Sequence, residues 1–308
     1  MSQSAAWKPE REIEIVAGTP PGGGVDRSAR ALLKAIEANR LLGAPAKVVN
    51  IGGDGGRKAW VHIGGKAGDG HTIGISSPNL TTDVLTGAVK PDQSCYTPLA
   101  ILYTEYMAFV VRPDSELKTG RALIDELARD ASSVTIALST SLGNPNHIAV
   151  AKVITAAGAD TKAPKIRVFD SARDAVADVV AGNADVGVIT AASAVPELES
   201  GDLRALAISS PKRLNGVYAS APTWAEQSVD CTIGAWRGAA GPPGIDAAHA
   251  AFWEGVLSAA TKTKEWKAEL DRYFWTEMYL DGAALRDHLA KEHAEFTAIL
   301  GGLGLLAK

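Results

Sequence analysis

The chain has 308 residues, enough for two domains of ordinary size, and its 46% apolar and 21% charged residues are a globular composition. A formal net charge of −4 removes the long-range basic field that nucleic-acid binders rely on. No apolar run approaches the roughly 18 residues of a membrane span.

From the N-terminus, residues 12–17 alternate and then turn apolar, as a buried strand does. The loop Gly18-Thr-Pro-Pro-Gly-Gly-Gly-Val-Asp26 follows. Ala29, Leu32, Leu33 and Ile36 then recur at helical spacing, with Asp26 as the expected N-cap. The same unit repeats: strand 47–50 enters Ile51-Gly-Gly-Asp-Gly-Gly56 and a helix through Trp60 and Ile63, and strand 71–75 enters Ser76-Ser-Pro-Asn79. Residues 99–111 are rich in strand formers. A second series follows. Strand 134–138 leads into residues 139–147 and the helix 148–157; strand 166–169 precedes the helix 172–181; strand 185–189 precedes residues 190–193; and 204–209 reads as another strand. Residues 247–261 and 283–300 read as amphipathic helices. Strands alternating with helices imply mostly parallel sheets covered on both faces. Loops rich in Gly and Ser recur at the strands' carboxyl ends, the edge where open α/β sheets bind ligands.

Residues 1–12 lack a basic segment followed by an apolar core. A cytoplasmic protein would look like this, and so would one from which a signal peptide had been removed. Cys95 and Cys231 are too few for a disulfide framework or a Cys-rich metal site. They can pair in an oxidising compartment or stand as two separate buried thiols.

Residues 19–26 carry the clearest chemistry. Glycines let backbone N–H groups approach a ligand, and the helix that follows adds its positive N-terminal dipole. The other reading is a tight strand–helix turn without a ligand. The spacings of Gly-x-x-x-x-Gly-Lys-Ser/Thr and Gly-x-Gly-x-x-Gly are both absent, so nucleotide binding is a weak reading. No Gly-x-Ser-x-Gly is present. His147 stands near Ser139 and Ser141, but no acid is placed to orient it. His288 and His293, five apart, do not share a helix face, so no metal site is expected. Residues 233–242 read as a strand crossing between domains, with Trp236 or Arg237 near a ligand or in the core.

At these loops the sequence resembles the solute-binding proteins of tripartite tricarboxylate transporters, the Bug or TctC family. The matching segments are Pro20-Pro-Gly-Gly-Gly-Val-Asp26, Val49-Asn50 with Gly53 and Gly55-Gly56, Asp69-Gly70-His-Thr-Ile, and Gly143-Asn-Pro-Asn-His147. Further along come Ala181-Gly-Asn-Ala-Asp-Val186, Gly201-Asp-Leu-Arg-Ala-Leu-Ala207 and Ala221-Pro-Thr-Trp-Ala-Glu226. The resemblance implies a two-lobed α/β periplasmic-binding-protein fold of the type II-like Venus flytrap kind, with a cleft between lobes and crossover strands as the hinge. One lobe would comprise residues 1–110 and 232–308, and the other 111–231. The ligand would be a small organic carboxylate. It would meet Thr19, Pro21, Gly22, Gly23, Gly53, Asp54, Ser76, Ser77 and Asn79 from the first lobe. Ser139, Ser141, Asn144, His147, Phe169, Asp170 and Thr190 would serve from the second.

The resemblance further implies a periplasmic monomer that uses no cofactor and hands its ligand to membrane transporter subunits without spanning the membrane itself. A ligand sensor docking to a receptor kinase and a Ser/His hydrolase are the alternatives. The chain departs from the family pattern at Val25, Ile51-Gly52, Phe169-Asp-Ser171 and Ile189-Thr-Ala191. A lost Lys and a gained Asp170 point to a monocarboxylate with an aromatic or hydroxylated far end.

Overall fold

In the computed structural model, residues 7–90 and 96–307 are described, and they form ten strands and ten α-helices. In chain order these are β1 (Ile13–Ala17), α1 (Gly24–Ala38), β2 (Ala46–Asn50), α2 (Arg57–Gly64), β3 (Thr72–Ser76), α3 (Asn79–Leu85) and β4 (Thr97–Val111). Next come α4 (Gly120–Asp130), β5 (Thr135–Ser139), α5 (Pro145–Ala156), β6 (Lys165–Phe169), α6 (Ala172–Val180), β7 (Val186–Thr190), α7 (Val195–Ser200) and β8 (Arg204–Ile208). The chain finishes with β9 (Gly234–Gly241), α8 (Ala247–Thr261), α9 (Lys264–Arg272), β10 (Thr276–Asp281) and α10 (Gly282–Leu303). The fold class is the expected α/β. Its described residues divide into two compact units, one of residues 7–80, 88–90, 96–104 and 236–292, the other of residues 81–87, 105–235 and 293–307.

In the first unit β2, β1 and β3 run parallel, and β9 continues the sheet antiparallel to β3. Strand β1 is buried along almost its whole length because helices cover both faces, which is why it reads as an apolar run. The core joins Ile13, Ile15, Leu32, Ile36 and Ile73 to Trp253, Leu257 and Trp266. Trp266 and Trp253 are fully buried, as core tryptophans should be. Trp236 is also a core residue. It packs with Ile101 and Leu285, and its indole N–H donates to Glu292 at 2.7 Å.

The second unit repeats the plan. Strands β7, β5 and β6 run parallel, and the second half of β4 pairs antiparallel with β7 and β8. Its core gathers Phe109, Leu138, Ile148, Val188 and Trp224. Phe296, Leu300 and Leu303 of α10 belong to this core, whereas Leu285 near the start of α10 packs with Trp236 in the first unit. A single helix therefore supplies both cores. The tail, expected in one lobe over residues 232–308, is thus divided between residues 292 and 293. Residues 81–87 also belong here, tied by the Ala307 N–H to the Leu85 carbonyl at 2.8 Å.

Cys231 is buried, its thiol facing the Ala149 carbonyl at 3.5 Å, and burial pushes its pKa up to about 12. Cys95 lies outside the described residues, and so does any pairing of the two. Among the described residues no helix is long and apolar enough to cross a membrane.

Candidate functional site

Three parallel strands place their carboxyl ends together. In the first unit Ala17 is level with Asn50, and Val16 with Gly74, so the loops after β1, β2 and β3 leave one edge. The first two loops touch. A side chain on Gly18 would meet Gly56 Cα at 3.2 Å, and one on Gly52 would meet Pro20 Cδ at 2.8 Å. Glycine is required at position 52 for this close approach rather than for backbone freedom. Gly22, by contrast, has φ +84° with open space around it. Asp54 holds a left-handed φ of 54°, flanked by Gly53 at 105° and Gly55 at 63°.

A buried carboxylate organises this edge. Asp26 is 2% exposed and accepts from the Gly22 N–H and the Asn50 amide, both at 2.8 Å, and from Arg30 Nε at 3.0 Å. Burial pushes its pKa up, but the Arg30, Gly22 and Asn50 donors outweigh burial and hold the carboxyl below its ordinary value. Asp26 was expected to cap α1. Instead Gly23 occupies the N-cap position without a side-chain bond, and Asp26 sits in the first turn with its carboxylate reaching back to Gly22. The hydroxyl of Thr19 does the capping, accepting the Asp26 N–H at 3.1 Å. Thr19 is thereby committed to the scaffold, and a side chain on Gly23 would collide with its Oγ1 at 2.6 Å.

The remaining residues expected here divide. Ser76 is buried at the end of β3, level with Gly238, and Ser77 and Asn79 follow it, the Ser77 carbonyl accepting the Leu80 N–H at 3.1 Å. Pro21, Gly22 and Gly53 offer backbone only. Asp54 is an exposed carboxylate paired with Arg57, whose hydrogen bond lowers its pKa, so its side chain does not suit a second anion.

The second unit has a matching edge with different chemistry. Ser139 is level with Phe169, and Leu138 with Val188, so the loops after β5, β6 and β7 also leave together. Thr140 is β-branched yet holds φ +71°, a conformation that persists only when its surroundings over-determine it. Its N–H donates to the Phe169 carbonyl at 2.7 Å, and its hydroxyl accepts from Asn144 Nδ2 at 2.6 Å. The same amide nitrogen donates to the Ser139 carbonyl at 2.6 Å. Asn144 is also the N-cap of α5, its Oδ1 taking the His147 N–H at 3.0 Å, so α5 starts at Pro145, three residues before the expected Ile148.

His147 is 6% exposed, and its Nδ1 accepts the Gly143 N–H at 2.9 Å. Burial pushes the imidazole down to about 4, so it is neutral at physiological pH. Ser139 Oγ accepts from Asn146 at 3.0 Å. The buried Ser141 hydroxyl has no hydrogen-bond partner among the described residues. Thr190 and Ser193 hydroxyls bond each other at 3.1 Å, and the buried Tyr218 hydroxyl braces their loop by donating to the Ala191 carbonyl at 2.6 Å. Phe169 lies at this edge under the Arg167 guanidinium, 5.7 Å from the ring centroid, while Arg167 itself is paired with Asp178. Asp170 is exposed and stands outside the hydrogen-bonded cluster.

Sequence reasoning missed Thr140, Asn146 and Ser193. Asn146 lay in plain view within Gly143-Asn-Pro-Asn-His147, but its link to Ser139 spans seven residues. A groove of about 460 Å³ occurs at the opposite edge of this unit, beside Arg112, Glu126, Arg129 and Asp185. Its charges answer one another, Arg129 with Glu126 and Arg112 with Asp114, so the strand-end loops are the better candidate.

The family described as "Tripartite tricarboxylate transporter family receptor" matches residues 29–274. Protein BugT of Bordetella pertussis is 27% identical over 256 residues, covering 79% of this chain and 74% of that protein. Among solved structures, a Rhodopseudomonas palustris protein with adipate superposes with TM-score 0.82 at 19% identity, covering 96% of this chain and 98% of that one. MatC of the same organism, with bound malate, gives TM-score 0.78 at 21% identity over 95% and 99%. At those identities the structural likeness speaks for the fold, which is shared with the periplasmic binding protein BugD (TM-score 0.82, 18% identity, covering 97% of this chain and 100% of that one).

Proposed function

Because the chain belongs to the tripartite tricarboxylate transporter receptor family, we propose that it is a periplasmic solute-binding protein that captures a small organic carboxylate and delivers it to membrane transporter subunits. The observation that carries this reading is the edge of the second unit, where the buried Ser141 hydroxyl finds no partner among the described residues and the same loop leads into the neutral His147. An unmet buried hydroxyl costs about 1–3 kcal/mol, which a ligand oxygen would recover. Malate and adipate in the two solved relatives support an organic acid as the ligand class.

The side chains at that edge are neutral donors plus the acidic Asp170, and the nearby Arg167 is engaged by Asp178. This favours an acid with one carboxylate and a hydroxylated or aromatic remainder. Ligand capture rather than catalysis suits the geometry, because His147 spends Nδ1 on a backbone N–H and no carboxylate among the described residues orients it as a base.

Calorimetric titration with lactate, benzoate, malate and adipate tests the reading. Lactate or benzoate should bind more tightly than either diacid. Tight binding of the diacids alone removes the monocarboxylate part, and no heat from any organic acid removes the carboxylate reading.

A further inference from the structure

Resting on that reading, we infer that the backbone N–H of Gly143 fixes the tautomer of His147, so that the ring presents Nε2–H as a neutral donor to an acceptor oxygen of the ligand. A neutral imidazole carries one proton, and which nitrogen holds it is set by what the other nitrogen bonds. At 2.9 Å the Gly143 N–H occupies the lone pair of Nδ1. The proton must therefore sit on Nε2, and no acceptor among the described residues takes it.

The geometry that enforces this admits only glycine at position 143. Gly143 holds φ +84°, and a side chain there would meet Thr86 Cγ2 at 2.9 Å and Leu300 Cδ2 at 3.2 Å. Asn144 ties the loop to the Ser139 carbonyl and the Thr140 hydroxyl while holding the His147 N–H. Backbone and ring of His147 are thus gripped from two sides, and only Nε2 is left over. Ser141, two residues before Gly143, adds the unpartnered hydroxyl. The loop offers two side-chain donors without formal charge. A carboxylate held this way is bound by directed hydrogen bonds rather than by a counter-ion, so ligand shape and acceptor position decide affinity more than ligand charge does.

Two isosteres separate donor from scaffold. In His147→Asn the amide group stands where Nδ1 stood and can still accept the Gly143 N–H, but the distal donor is gone. In His147→Gln the amide nitrogen stands where Nε2 stood, and the acceptor for Gly143 is lost. Affinities are measured by calorimetry with whichever of lactate, benzoate, malate and adipate binds the unaltered protein most tightly. Thermal unfolding of both variants is followed in parallel.

His147→Asn should keep its unfolding temperature near that of the unaltered protein and lose about ten-fold or more in affinity. His147→Gln should unfold earlier and keep the greater share of binding. The inference is overturned if His147→Asn binds as the unaltered protein does, or if nitrogen-15 spectra of the free protein place the ring proton on Nδ1. If the unaltered protein binds none of the four acids, it is the carboxylate reading that fails. The ring-proton position still stands or falls on the spectra alone.

Discussion

The two loop edges share a topology and differ in how their polar groups are spent. At the first, a buried carboxylate is fully answered: Gly22, Asn50 and Arg30 all donate to Asp26, and Thr19 takes the Asp26 N–H. At the second, hydroxyl and imidazole groups stand in a strained loop with donors to spare. A satisfied network holds a loop in shape, whereas unspent donors await an outside partner. The glycine-rich segment drew the eye in the sequence, yet its residues serve mainly to build a platform. The plainer Ser-Thr-Ser-Leu-Gly-Asn stretch holds the Ser141 hydroxyl that finds no partner among the described residues.

The contrast can be broken by removing its central charge. Asp26→Ala leaves two donors and a guanidinium without their acceptor and should cost about 3 kcal/mol in urea unfolding. A loss under 1 kcal/mol would mean that the platform does not depend on this carboxylate.

Acid should distinguish the edges by the order in which they weaken. His147 has its folded pKa depressed to about 4 from an ordinary 6.5, so the unfolded chain binds the proton more readily. Stability from this residue is complete above pH 6.5 and declines as pH falls toward 4, by up to about 3 kcal/mol. Asp26 is also depressed, but from an ordinary 3.8, so its contribution holds down to that value and is lost only as pH falls through the lower folded value. Hydrogen exchange at pH 5 should therefore loosen the loop around Gly143 before the loop around Gly22. Equal loosening would contradict this order.

Two glycines of one loop should differ for steric reasons. Gly23→Ala drives a methyl into Thr19 Oγ1 at 2.6 Å and should cost about 2 kcal/mol. Gly22→Ala meets nothing within 4 Å and should cost only about 1 kcal/mol, from its positive φ. Calorimetric unfolding of the pair settles the ranking. The smallest change in stability should come from Ser141→Ala. It deletes an unsatisfied hydroxyl, so stability should hold or rise by up to about 1 kcal/mol while affinity for the bound acid falls about five-fold.

Strands β1, β3 and β5 were legible in the sequence because each is a short apolar run ending at Gly or Ser, and burial on both faces makes such runs nearly continuous. What escaped was polar or remote. Helix α9, Lys264-Glu-Trp-Lys-Ala-Glu-Leu-Asp-Arg272, is mostly charged and buries only Trp266, Glu269 and Leu270. Strand β10 has no fully buried position to give a period. The capping of α1 was misjudged because Thr19, seven residues before Asp26, took the role, and because Asn50 reaches Asp26 across 24 residues. The gathering of candidate residues at strand ends followed from topology alone. The state of each group, such as the tautomer of His147 or the idle hydroxyl of Ser141, needed coordinates.

The chain changes unit at residues 80/81, 87/88, 104/105, 235/236 and 292/293. For anyone building genes from this protein, no single cut therefore yields either half. A fragment ending at residue 235 contains most of the second unit but lacks Phe296, Leu300 and Leu303, which should leave an open apolar face and an aggregating product. Expressing the second unit alone calls for residues 81–87, 105–235 and the last sixteen residues joined by designed linkers, a rearranged gene rather than a shortened one.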